Sequence, residues 1–191
     1  IISSDSKYAF AADWRNTGKI AYVDLENMNL IASWNGFNDP HGTALNSTND
    51  TLYVTSTSGN FIYKIPVLDP SSFDQISLVP PQIPGGSALY EPHQILFSPD
   101  SLYYYVSCPK KNEIRVMRTS DDGLQTVIST GAYPLEMSLS KTQAYLFVTC
   151  ESDLTAPETN RGSVTIINYV TNTWVANLRA NMSEPHGVAV D

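Results

Sequence analysis

The chain has 191 residues, 42% of them hydrophobic and 16% charged, enough for one well-buried domain and too apolar for a disordered tail. A net charge of −8 opposes binding to a phosphate backbone, where affinity comes from clustered Lys and Arg releasing counterions, so nucleic acid is excluded as a partner. No apolar run is long enough to cross a bilayer, and no membrane span is expected in this segment.

In chain order, "IISSDSKYAFAADWRNTGKIAYVDLENMNLIASW" predicts three strands, the last being the outer strand "LIASW". A turn "DPHGTAL" follows from Asp39, and near-copies of it stand at "EPHQILF" from Glu91 and "EPHGVAVD" from Glu184. The three histidines of the chain, His41, His93 and His186, all lie in these turns. A fourth copy, "AYPLEM", has Leu135 where the others have histidine. Aligned on Pro40, Pro92, Pro134 and Pro185, the units step by 52, 42 and 51 residues. Val54, Val106 and Val148 each lie 14 residues after their proline in "LYVTS", "YYVSC" and "LFVTC", runs of aromatic and β-branched residues that predict strands. Third strands follow in "NFIYKIPV", "NEIRVMR" and "GSVTIINY", and "TWVANL" predicts another outer strand. Between first and second strands, "FSPDSLYYYVS" and "LSKTQAYLFVT" carry the Ser, Asp and Lys of a hairpin tip. Two insertions lengthen the repeat, "LVPPQIPGG" within Leu78–Tyr90 and "ESDLTAPETNR" at Glu151–Arg161.

Without those loops the unit is about 42 residues, the length of a four-stranded propeller blade. The expected fold is all-β, a β-propeller with about four blades in view: 1–38 together with 185–191, then 39–91, 92–133 and 134–184. "HGVAVD" reads as one more first strand. It could close a four-bladed ring with the opening strands, but an open arc leaves unpaired edges, and a segment of a larger propeller of seven or so blades is expected. Nothing at Ile1 resembles a signal peptide. The chain neither begins with Met nor ends outside a strand-like run, so it is expected to be a piece of a longer chain or assembly.

"YVTS", "YVSC", "FVTC" and "GSVTIINYVTNTWVANL", with the Pro-His-Gly turn before the units, resemble the YVTN-type β-propeller repeats related to the propeller of nitrous-oxide reductase. The resemblance covers nearly the whole chain. It implies a propeller exported to the periplasm or the cell surface, and it implies no particular activity.

The Pro-His turns admit two readings. Proline fixes φ and biases the acidic residue before it toward an extended conformation, which makes a rigid corner whose histidine hydrogen-bonds a neighbouring blade or the acidic residue. Alternatively, His41, His93 and His186 ring one channel mouth as metal ligands, copper by resemblance to the reductase, although Leu135 interrupts the ring. The turn between second and third strands is expected on the same face. That would place there Cys108 and Cys150, two residues past their aligned valines, and the loop residues Glu151, Asp153 and Glu158. The cysteines read as free, partly buried thiols, since equivalent points of adjacent blades lie too far apart for a disulfide. Glu151, Asp153 and Glu158 could hold calcium or act as an acid pair, though an acidic insertion is more simply a solvated loop, as Lys110 and Lys111 are a solvated turn. No nucleophile elbow is present, "GGS" at Gly85–Ser87 lacks the context of a phosphate cradle, and Asn46, Asn49 and Asn181 head glycosylation triplets. The leading expectation is a non-enzymatic interaction or scaffold module that binds a protein or glycan through channel-face loops. The competing one is a copper-dependent oxidoreductase built on the histidine ring.

Overall fold

The computed structural model describes residues 1–14, 17–79, 89–153, 161–179 and 181–191. Strands β1 (Tyr8–Asp13), β2 (Lys19–Asp24) and β3 (Asn29–Trp34) form a three-stranded antiparallel sheet. β4 (Pro40–Leu45), β5 (Thr51–Ser56), β6 (Phe61–Pro66) and β7 (Asp74–Ser77) follow as a four-stranded antiparallel meander. Two further sheets repeat that order. One contains β8 (Ile95–Phe97), β9 (Tyr103–Cys108), β10 (Glu113–Arg118) and β11 (Leu124–Ser129), the other β12 (Pro134–Leu139), β13 (Tyr145–Cys150), β14 (Ser163–Asn168) and β15 (Thr173–Leu178). Among the described residues the only helical turn is a short 3-10 turn at Pro109–Lys111. These sheets are propeller blades, and the aligned valines sit in their second strands as the repeat predicts.

By backbone contacts the chain divides into two compact units, Ile1–Phe97 and Ser98–Asp191. In the first, Phe10, Ile20, Trp34, Phe37, Leu52, Val54, Tyr63 and Ile65 form one core cluster, with Phe10 and Tyr22 stacked at 4.6 Å. In the second, Tyr104, Tyr105, Val106, Ile114, Val116, Leu146, Val148 and Ile167 are buried. Second strands are covered on both faces. In β5 everything from Leu52 to Ser56 is buried, and in β9 everything from Tyr104 to Cys108. That double burial replaces the polar/apolar alternation of a half-exposed strand with a continuous apolar and hydroxyl-bearing run. Outer strands such as β3, β11 and β15 are largely exposed.

The hairpin tips follow the predicted chemistry. In "SPDS" the Ser98 hydroxyl donates to Asp100 at 2.6 Å and Ser101 takes a φ of 58°; "SSDS" at Ser3–Ser6 repeats both features. One expectation fails: no strand forms after Glu184 among the described residues. Of the two insertions, residues 80–88 and 154–160 lie outside the described residues, Glu158 with them.

Candidate functional site

Two of the units, those opening at Pro40 and Pro134, are entered through a bulge. Pro40 pairs with Ser56 and Thr43 with Val54, so His41 and Gly42 together oppose the single residue Thr55. The same shift between Pro134 and Met137 sets Leu135 and Glu136 opposite Thr149. A bulge breaks the ladder, and a threonine hydroxyl repairs it. The Gly42 N–H donates to Thr55 Oγ1 at 2.8 Å, and the Glu136 N–H to Thr149 Oγ1 at 3.1 Å. Each hydroxyl then donates onward to the residue after the next turn's proline. Thr55 reaches the His93 carbonyl, Ser107 the Leu135 carbonyl and Thr149 the His186 carbonyl, all at 2.7 Å. The residue after each aligned valine is thus a latch between successive blades. Because it grips a backbone carbonyl, it works equally well on Leu135 and on a histidine.

The corner itself departs from the expected geometry. Asp39, Glu91, Tyr133 and Glu184, the residues before the prolines, have φ of 40°, 54°, 59° and 53°, in the left-handed region and not extended. Tertiary hydrogen bonds outweigh the local bias of a residue preceding proline. The Asp39 carbonyl accepts the Thr57 N–H at 3.1 Å, and the Tyr133 carbonyl accepts the Glu151 N–H at 3.0 Å. A second anchor is the left-handed asparagine between second and third strands. Asn60 Oδ1 accepts the Tyr90 N–H at 2.6 Å, and Asn112 Oδ1 accepts the Tyr133 N–H at 2.9 Å. Corner and second-to-third turn therefore share a face within each unit, as predicted.

In the first unit this brings His41 and His93 together. Their ring centroids are 3.9 Å apart, and His41 Nδ1 is 3.2 Å from the His93 carbonyl oxygen. His93 is buried and His41 half-buried. The histidine bonds the neighbouring blade's backbone, one of the two partners expected for a locked corner. Two imidazoles in van der Waals contact, one nitrogen directed at a carbonyl, make a packed corner. In the second unit His186 is exposed, and its imidazole partly offsets the burial that pushes the Glu136 carboxyl pKa up. Glu136 carries no sequence signal beyond occupying the place of Gly42 in its repeat.

Cys108 and Cys150 close β9 and β13 and are completely buried, not partly so and not on a loop face. Both are free, and burial pushes the Cys108 thiol well above the ordinary range and raises that of Cys150, where hydrogen bonds from Thr165 and Ser163 oppose it. Second-strand residues are covered on both sides, which the alignment on valine could not reveal. Of the acidic loop, Glu151 is half-buried, and the Asp153 carboxylate pairs with the Arg179 guanidinium.

The first unit also holds an open cleft of about 290 Å³ lined by Trp14, Asp39, Thr57, Ser58, Leu89 and Glu91. Trp14 is held from two sides: its Nε1–H donates to Thr57 Oγ1 at 3.1 Å, and its ring meets His41 edge-on at 5.1 Å. Sequence reasoning had no means of assembling these residues. Only Asp39 and Glu91 belong to the repeat, while Trp14 and Leu89 come from loops.

No protein-family model matches the chain, and no curated protein matches it. Solved structures do. Hydrazine synthase of Kuenenia stuttgartiensis is similar over 94% of this chain and 47% of its own, at 20% identity and a TM-score of 0.77. A functionally unknown protein from Desulfotomaculum acetoxidans is similar over 96% of this chain and 56% of its own, at 19% identity and a TM-score of 0.70. The chain spans about half the length of these structures. Likeness at such identities shows the fold, a β-propeller, and nothing of the activity.

Proposed function

We propose that this chain is a YVTN-type propeller module, exported to the periplasm or the cell surface, that binds a protein or glycan partner through the loops on the Pro-His face. One observation carries the reading. The backbone of the Pro-His corners is latched to the preceding blade by threonine hydroxyls, and beside the first-unit corners the acidic corner residues and a braced tryptophan line a cleft open to solvent. Export rests on the sequence resemblance alone.

The test is binding by the full-length protein, immobilised and exposed to a glycan array and to envelope proteins of its own source. The native chain is compared with one in which residues 80–88 and 154–160 are replaced by Gly-Ser linkers and with one carrying Ser58→Trp. A partner lost on either change supports the reading, and binding indifferent to both sinks it. Elemental analysis of the same preparation addresses the copper-dependent alternative: stoichiometric copper that vanishes in a His41/His93/His186 triple alanine variant would replace this reading with the redox one.

A further inference from the structure

Resting on that interaction reading, we propose that the cleft of Trp14, Asp39, Thr57, Ser58, Leu89 and Glu91 binds a single pyranose residue of a glycan. The ring comes first. Trp14 is 38% exposed, yet a hydrogen bond to Thr57 and an edge contact with His41 fix its orientation. A rigid, wet indole suits a ligand with a flat C–H face, because the ligand displaces water from the ring and costs little further ordering of the protein. The polar groups match the remainder of a sugar. Asp39 and Glu91 are equivalent residues of successive turns, so the repeat sets their separation, and their carboxylates accept the short, strong O–H···O⁻ bonds that hydroxyl groups donate. Ser58, exposed in the β5–β6 turn, both donates and accepts, as each sugar hydroxyl does.

A basic side chain is the rival occupant, since guanidinium also stacks on indole. Asp39 and Glu91 are only half-buried, and ion pairs that keep their water contribute little. A guanidinium would rest mainly on those two carboxylates, whereas a sugar adds C–H stacking on Trp14 and bonds to Ser58 to its modest hydroxyl bonds with them. A volume of about 290 Å³, at the lower end for small-ligand sites, suits one ring with the rest of a glycan left in solvent.

The full-length chain is titrated with methyl glycosides of glucose, mannose, galactose and N-acetylglucosamine, and separately with an octa-arginine peptide, while tryptophan fluorescence is followed. One glycoside is expected to shift the emission saturably. Trp14→Ala abolishes that shift, Ser58→Trp blocks the cleft without touching the core, and Glu91→Gln weakens binding about tenfold through one lost charge-assisted bond. Circular dichroism and urea midpoints of the variants separate lost binding from lost fold. The proposal is overturned if no glycoside saturates, if binding survives Ser58→Trp, or if only the arginine peptide binds. In that last case the interaction reading stands and the ligand class changes.

Discussion

Thr55 and its counterparts Ser107 and Thr149 carry the clearest residue-scale logic. Each is buried, so its hydroxyl must be bonded, and each donates to the carbonyl of the residue following the next turn's proline. Thr55→Val keeps the shape and removes the hydroxyl, leaving the Gly42 N–H and the His93 carbonyl without it. A loss of about 1–3 kcal/mol is expected in urea unfolding, with Thr55→Ser restoring most of it; equal losses in both variants would assign the effect to packing. Gly42 is constrained from the same side. A Cβ there would lie 2.3 Å from the His93 carbonyl oxygen and 2.8 Å from Gln94 Cα, so Gly42→Ala should cost roughly 1–3 kcal/mol by overpacking. Glu136 supplies the pH dependence. Burial raises its carboxyl pKa and His186 opposes the shift, so the folded state holds the proton more tightly than the unfolded state does. The associated stability is complete below the ordinary value of 4.5 and is lost as pH rises through the folded value. Glu136→Gln cannot ionise and should flatten that loss. Urea midpoints of both proteins from about pH 4 to about pH 8 decide it, and parallel curves would clear Glu136.

At the scale of elements, the repeat has a second strand with a buried core, and two of its copies each show a bulged first strand and a left-handed asparagine that ties the turn to the next corner. Asn60 and Asn112 each use the side-chain oxygen on a corner N–H and the backbone carbonyl on the N–H of the residue just past the outer strand, Leu78 and Thr130 respectively. The two contributions can be separated by substitution. Asn60→Gly keeps the left-handed backbone and loses the Oδ1 acceptor, whereas Asn60→Ala loses both. Thermal unfolding should therefore rank native above glycine and glycine above alanine, with the last step worth about 1 kcal/mol. Much of this was legible in the sequence: "NF" and "NE" after the aligned valines read as turn residues, β5, β9 and β13 each contain the expected "LYVTS", "YYVSC" and "LFVTC", and β15 coincides with "TWVANL". The bulge was not legible, because one extra residue in a strand changes no composition and shows only when the partner strand is present.

For the molecule as a whole, complete burial makes Cys108 and Cys150 reporters of the second unit. Neither thiol should react with an aromatic disulfide reagent in native buffer, and both should react together as denaturant opens the unit. Rapid native labelling of either would contradict their burial. From the sequence alone came the all-β class, the blade period, the valine-centred second strands and the three Pro-His turns, because strand periodicity and turn chemistry are local properties that each stretch of chain carries by itself. Tertiary structure decided the rest. It turned the residues before proline left-handed, gave the repeated latch to hydroxyl groups, with an imidazole adding to it at His41, sealed the cysteines and gathered Trp14, Asp39, Glu91 and Leu89 around one cleft. Those outcomes depend on which backbone groups and side chains from distant parts of the chain meet, and a hydrogen bond between Thr55 and His93, 38 residues apart, leaves no trace in the spacing of either.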